Sequence, residues 1–350
     1  SPMCQYSADD GSPTDWHIQH LGLLSHSGAG LVVIEATGVE RAGRITHGCT
    51  GLYSDANEAA FARVLAAYRG WSKTPIGIQI GHAGRKASSA RPWEGGGPLA
   101  SEQDPWQTVA PSAIPFDQGW HTPRALTEAE IDRLVDSFAA AARRAARLGL
   151  DEIELHCAHG YLMHEFLSPI ANKREDRYGG SLENRMRFPL RVAEAVRAVW
   201  PAEKPMGARL SATDWREDGW TIEDSVVFAR ALKERGCDFI CASSGGIVGR
   251  LAVPVGPGYQ VKLAARLRRE AGIATRAVGM IVTPQQAETV LAEGEADMIA
   301  LARAVLDDPR WGWHAGEALG ASAVYPPQYE RARATTWPGA KLRGGVAKVA

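Results

Sequence analysis

The sequence is short of everything that would tie it to a membrane, a nucleic acid or a disulfide scaffold. Five cysteines, Cys4, Cys49, Cys157, Cys237 and Cys241, are scattered through 350 residues. Odd in number and never spaced C-x-x-C, they argue against a disulfide framework or a zinc ribbon, so each reads as a single thiol. No stretch approaches the roughly 18 uninterrupted apolar residues that a membrane span needs, and no signal-peptide pattern opens the chain; a cytoplasmic protein is the expectation. With 39 Lys and Arg against 40 Asp and Glu, the net charge of −1 leaves no electrostatic footprint for nucleic acid. No G-x-G-x-x-G opens a helix, so a Rossmann site is unsupported, and there is no internal repeat or low-complexity tract. What is present is 45% hydrophobic and 23% charged, enough for one large buried core whose partners are small molecules.

Short apolar runs alternate with helix-period segments along the whole chain, the pattern of βα units around a parallel sheet. Eight such runs stand at 2–7, 31–37, 76–82, 151–157, 205–211, 238–243, 275–280 and 297–302. Between them, Thr127 with Glu130 and Thr283 with Gln286 fit the capping box, and Thr221 precedes Glu223 and Asp224. Gly149, Gly236 and Gly294 sit where a left-handed helix cap is wanted, just before the next strand. Eight strands with intervening helices predict an α/β fold, a single-domain (β/α)8 TIM barrel. The irregular stretch at 84–126, dense in Gly, Pro and Trp, follows the third strand and predicts a capping loop over the barrel mouth.

The run 151–157 delivers His156 to the C-terminal end of its strand, with His159 and Tyr161 in the loop beyond. That is the face where barrels do chemistry. Two imidazoles and a phenol there can polarise a carbonyl and supply a proton; metal ligation by the H-x-x-H pair is the other reading. Gln79 is an amide in a strand that would otherwise be aliphatic, and a flavin's pyrimidine edge would satisfy it. Arg209 is a charge on an apolar strand, answered either by a buried ion pair or by an anionic cofactor. Val278-Gly279-Met280 and Ala302-Arg303 end the last two strands, where barrels place a phosphate site. Cys157 points away from its neighbour His156 and reads as core packing.

Ten segments in order resemble the old yellow enzyme family of NADH:flavin oxidoreductases, specifically its bacterial, xenobiotic-reductase-like class with a cysteine beside the flavin. They are Pro-Met-Cys-Gln-Tyr at 2–6, Glu-Ala-Thr at 35–37, Gly-Arg-Ile-Thr at 43–46, Gly-His-Ala-Gly-Arg-Lys at 81–86 and Ala-Pro-Ser-Ala-Ile at 110–114, then His-Gly-Tyr-Leu at 159–162, Phe-Leu-Ser-Pro at 166–169, Arg-Tyr-Gly-Gly-Ser-Leu-Glu-Asn-Arg at 177–185, Pro-Gly-Tyr-Gln-Val at 257–261 and Gln-Tyr-Glu-Arg at 328–331. The resemblance implies an ene-reductase that takes hydride from NADPH or NADH onto FMN and passes it to activated alkenes such as unsaturated ketones, aldehydes, maleimides and nitroalkenes. It implies catalytic roles for Tyr161 as proton donor, for His156 and His159 as grips on the activating group, and for Cys4 as a modulator of the flavin. Tyr6 and Arg331 would also meet substrate, Arg331 by reaching into a neighbouring subunit of a homodimer or homotetramer. Ser1, Pro2, Met3, Cys4, Ala36, Gln79 and Arg209 would line the flavin, and Gly279, Met280, Ala302 and Arg303 its phosphate. The competing function is a metal-dependent barrel hydrolase or aldolase with His156 and His159 as ligands.

Two departures from the family pattern stand out. Family members run through a full first strand before Pro-Met-Cys, whereas here the first strand is incomplete or permuted, with Val346–Ala350 as a candidate replacement. The domain reading is therefore an FMN-binding barrel over 1–331 and a tail over 332–350 that supplies some of the first strand. Ala302 stands where the family has glycine, and its methyl narrows the phosphate approach.

Overall fold

The computed structural model describes residues 1–342, so the candidate strand at Val346–Ala350 lies outside the described residues. Seven parallel strands form one sheet in chain order: β1 (Val32–Gly38), β2 (Ile76–Gly81), β3 (Glu152–Cys157), β4 (Met206–Ser211), β5 (Phe239–Ser243), β6 (Ala274–Ala277) and β7 (Met298–Ile299). Helices α1 (Asp15–Ser25), α2 (Asp55–Trp71), α3 (Glu128–Arg147), α4 (Leu162–Leu167), α5 (Leu182–Arg197), α6 (Ile222–Glu234), α7 (Val261–Ala271), α8 (Pro284–Ala292), α9 (Arg303–Asp307) and α10 (Trp311–Ala318) alternate with the strands. Strands buried on both faces need near-continuous apolar sequence, and β2, β3 and β4 are buried at every position. None of the described helices is long and apolar enough to cross a membrane.

The sheet curls. Arg276 on β6 donates to Glu152 on β3 at 2.7 Å and lies 3.3 Å from Glu154, contacts that a flat sheet would put three strands apart. Both carboxylates and the guanidinium therefore face one interior, joined by Gln79 on β2, whose amide donates to Glu154 at 2.7 Å. Outward-facing Ile153, Leu155 and Cys157 pack in the core against the helices. The helix signals hold: Thr127 accepts from the Glu130 amide while the Glu130 carboxylate accepts from the Thr127 amide, and Thr221 and Thr283 cap α6 and α8.

Seven strands are found where eight runs were expected. Residues 2–7 make no ladder. Instead the segment spans the gap between the sheet's edges, with the Ser1 nitrogen donating to the Leu301 carbonyl beyond β7 at 2.6 Å and the Gln5 amide to the Glu35 carboxylate of β1 at 2.7 Å. Alongside lies a cavity of about 610 Å³ lined by Val32, Ile34, Met298 and Leu301 among others. The long loop follows β2 and is not structureless. Three 3-10 turns and a two-residue ladder, Val109–Ala110 with Arg124–Ala125, order it. Arg85 ties it down by donating to the carbonyls of Ile114, Pro115 and Ile247.

Two consequences are measurable. Arg276→Met would leave Glu152 and Glu154 buried without their cation, and should lower the unfolding free energy by about 3 kcal/mol in urea titrations. Glu165 on α4 is fully buried, and burial pushes its carboxyl from 4.5 up to about 8 against the pull of Arg85 and Lys86. The fold thus holds a proton that the unfolded chain releases. Its stabilisation is complete below the unfolded value and is lost as pH rises through the folded one, so Glu165→Gln should flatten the fall in urea midpoint between about pH 4.5 and pH 8.

Candidate active site

Alternation along β3 turns Glu152, Glu154 and His156 to the barrel interior, and His156 ends up in register with Arg209 of β4. Two left-handed residues, His159 at φ 61° and Gly160 at φ 73°, then reverse the chain so that Tyr161 starts α4. Only glycine fits at 160, because a Cβ there would stand 2.1 Å from the Gly246 carbonyl oxygen. The turn gathers the three expected side chains: the His156 ring centroid lies 5.2 Å from that of His159 and 4.8 Å from that of Tyr161, each nearly perpendicular.

The turn is held from three sides. The His159 amide donates to Ser211 Oγ at 2.9 Å, and its ring Nε2 lies 2.7 Å from Ser243 Oγ. Lys86 Nζ donates to the His159 carbonyl at 2.8 Å and stands 5.1 Å over the Tyr161 ring. The Gly160 amide donates to His164 Nδ1 at 2.9 Å, and His164 Nε2 lies 2.9 Å from the buried Asp214 carboxylate.

Burial, then the positive charges of Arg209 and Lys86, hold both His156 and His159 well below the usual imidazole value, so both are neutral at pH 7. His156 Nδ1 accepts from the Ala158 amide at 3.3 Å, which leaves the proton on Nε2 as a free donor. Burial, with Cys4, Tyr6 and Cys49 nearby, pushes Tyr161 well above the usual phenol value, and it keeps its proton. Lys86 itself is lowered to about 8, chiefly by burial.

Residues 1–6 close the opposite wall. Tyr6, at φ 52°, is anchored through its carbonyl by Arg91 Nε at 3.0 Å, and its ring meets Trp93 edge-on at 5.8 Å. Cys4 is half-buried, and its interaction with Cys49, then desolvation, raises its thiol well above the usual value. Burial opposes ionisation of Cys49, but hydrogen bonds from Cys4 and Thr46 bring it below that value. Cys4 therefore stays a thiol.

The two interior arginines differ. Arg276 has two carboxylates, whereas Arg209, 7% exposed, bonds only the Ser1 hydroxyl, and its Nε has no partner among the described residues. An orphaned guanidinium N–H beside the two histidines fits an anionic or carbonyl-bearing cofactor. Gln79 has a partner besides the expected flavin: its amide nitrogen donates to Glu154 inside the barrel. Ala36 follows a register shift in β1 that turns Glu35 towards Gln5 and His17. Gly279 at φ 121° and Met280 at φ 48° form the turn after β6, Ala302 caps α9, and Arg303 is exposed. Arg331 does not join the others. Tyr329, two residues before it, packs on His26 at the end of α1, which precedes the N-terminal end of β1.

Sequence reasoning did not single out Lys86, Ser211, Ser243, Gln260 or Cys49. The available signal was position, since Ser211 and Ser243 are the last residues of adjacent strands, in register with each other. Among the described residues no group of three or more His, Cys, Asp or Glu side chains could hold a metal, so the pair His156 and His159 lacks the further ligands that the hydrolase reading requires.

Residues 1–320 match the model of the NADH:flavin oxidoreductase / NADH oxidase family. The chain is 42% identical over 333 residues to an NADPH dehydrogenase of Geobacillus thermodenitrificans strain NG80-2, covering 95% of this chain and 92% of that protein. It superposes on an old yellow enzyme homologue from Zymomonas mobilis with a TM-score of 0.73 at 27% identity, over 93% of this chain and 88% of that one. A 2-naphthoyl-CoA reductase complex gives a TM-score of 0.80 at 24% identity, over 93% of this chain but only 50% of the other, and shares the fold. With the site's geometry and these matches together, the chain belongs to the NADH:flavin oxidoreductase / NADH oxidase family, the old yellow enzymes, and is an FMN-containing, NAD(P)H-dependent flavin oxidoreductase.

Proposed function

We propose that the enzyme is an ene-reductase that reduces activated C=C bonds, such as those of unsaturated ketones, aldehydes, maleimides and nitroalkenes, in a ping-pong cycle with NADPH or NADH. The observation that carries this reading is Arg209, a buried cation with an orphaned Nε, in register with His156. FMN, when bound, accepts hydride from the nicotinamide and delivers it to the alkene. Arg209 would face the negative charge that a reduced flavin ring carries, and Ser1, Pro2, Met3, Cys4, Ala36 and Gln79 would line that ring. Gly279, Met280, Ala302 and Arg303 hold its phosphate.

His156, through Nε2–H, and His159 donate hydrogen bonds to the carbonyl or nitro oxygen of the substrate, where charge builds as the β-carbon is reduced. Neutral imidazoles suit this role, since a donor fixed in place needs no charge of its own. Tyr161, kept protonated, supplies the proton to the α-carbon, and Tyr6 contacts the substrate oxygen from the facing wall. Cys4 remains a thiol beside the ring and tunes its potential. Arg331, exposed and distant from this chain's own site, reaches the site of a neighbouring subunit in a cytoplasmic homodimer or homotetramer. Five free cysteines are consistent with a reducing compartment.

An anaerobic visible spectrum tests the cycle: flavin bands should bleach on adding NADPH and return on adding 2-cyclohexenone. Bands that bleach but do not return would refute alkene reduction. In stopped-flow traces His156→Ala should slow reoxidation by the enone by roughly 100-fold, while flavin reduction falls far less. Equal loss in both half-reactions would remove His156 from its assigned role.

A further inference from the structure

Tyr6 is held in the left-handed region at φ 52°, a conformation that an aromatic residue keeps only where its surroundings fix it. Its carbonyl accepts from Arg91 Nε at 3.0 Å and stands against Gly48, where a Cβ would have no room. The residue before it is fixed by a side chain. The Gln5 amide donates to Glu35 Oε2 at 2.7 Å, and no other backbone N–H of residues 2–7 has a partner among the described residues. Glu35 is therefore the contact by which β1 holds the segment that carries Cys4 and Tyr6.

His17 on α1 aims that carboxylate. Its Nε2 lies 3.1 Å from Glu35 Oε1, and both side chains are buried. The other ring nitrogen settles the direction of the bond: the Thr14 amide donates to His17 Nδ1 at 2.9 Å, and a backbone amide can only donate. Nδ1 thus carries a lone pair, the ring proton sits on Nε2, and Glu35 accepts it. The Thr14 hydroxyl does not compete, since it donates to the Ser7 carbonyl at 2.8 Å. Both Glu35 oxygens therefore accept, one from a ring pinned to the start of α1 and one from Gln5. The charge of Glu35 also reaches the residues it holds: it adds to Cys49 and desolvation in raising Cys4, and to desolvation and the two thiols in raising Tyr6.

We infer that Glu35, aimed by His17, is a positioning residue that clamps the step from Gln5 to Tyr6 and so sets the Cys4 thiol at the flavin ring and the Tyr6 phenol at the substrate. The inference rests on the roles proposed above for Cys4 and Tyr6. It gives a carboxylate outside the reacting centre control over the wall that faces it.

The test uses the FMN-loaded enzyme. Glu35→Gln turns an amide N–H toward one of two groups that are themselves donors, whereas Glu35→Asp keeps both acceptors. Glu35→Gln should move the flavin potential, read by equilibration with a reference dye, as far and in the same direction as Cys4→Ala does, and should raise KM for 2-cyclohexenone roughly 10-fold. Glu35→Asp should restore most of both. In Cys4→Ala protein, Glu35→Gln should shift the potential no further, as expected of residues that act as a unit. Shifts that add, or a potential that either substitution leaves unmoved, overturn the inference. Should Glu35→Gln fail to fold, the wild-type protein labelled with 15N-histidine decides: a His17 ring protonated on Nδ1, alone or with Nε2, overturns it. Failure of the ene-reductase reading would look different: flavin that 2-cyclohexenone cannot reoxidise, with the potential shifts intact.

Discussion

Arg209 and Arg276 project into the interior of one barrel, and among the described residues only Arg276 has its counter-charge. A guanidinium cannot shed its proton there, so each must be answered by hydrogen bonds or by anions. Arg276 is answered by Glu152, Glu154 and, through Glu154, by Gln79, a cluster that joins β2, β3 and β6 across the interior. Arg209, on the adjoining strand to β3, is answered by a serine hydroxyl and otherwise left open. The closed cluster ties three strands together, and the open one is the cation proposed to face a reduced flavin ring. Two residues of the same type thus serve structure and function, divided by which neighbours carry carboxylates.

That uncompensated charge organises the chemistry around it. Arg209 and Lys86 bear on the same two imidazoles, and with burial they keep both neutral. Neutral rings have tautomers, and that of His156 is set by the Ala158 amide, which donates to its Nδ1. Lys86 also fastens the His159 carbonyl, so one buried side chain both depresses the imidazoles and fixes the turn that presents one of them. Its placement needs Glu165 and Arg85 nearby, and these in turn anchor the long loop after β2 over the barrel mouth.

Much of this was legible in the sequence because it depends on local pattern. The short apolar runs that form β1 to β7 fall within a few residues of the expected bounds, and Thr127 with Glu130 forms the box its spacing predicts. His156, His159 and Tyr161 converge because they share one strand and one turn. Contacts made between strands were hidden. Gln79 reads as an amide in need of a flavin, and nothing local shows that Glu154, 75 residues on but its register partner on the adjacent strand, already accepts from it. The register shift at Glu35 leaves no mark on alternation that short, and residues 2–7 have strand-like composition without a strand partner. Ser211 and Ser243 are ordinary strand-ending residues until register sets them side by side.

The proton positions of the site follow from this arrangement without any further device. Tyr161 sits among Cys4, Tyr6 and Cys49, where burial and the neighbouring acids all oppose ionisation of the phenol. The imidazoles sit on the other side, among cations that oppose protonation. At neutral pH the phenol therefore keeps its proton and the rings keep one each, a division that puts a protonated phenol and two neutral imidazoles around the same position. Reversing either environment would defeat the proposed reaction: a phenolate could not protonate carbon, and an imidazolium beside Arg209 would add to a charge that already lacks a partner among the described residues. The strand order decides both, by putting β4 and its arginine against His156 while the Cys4 segment crosses from β7 to β1 on the far side.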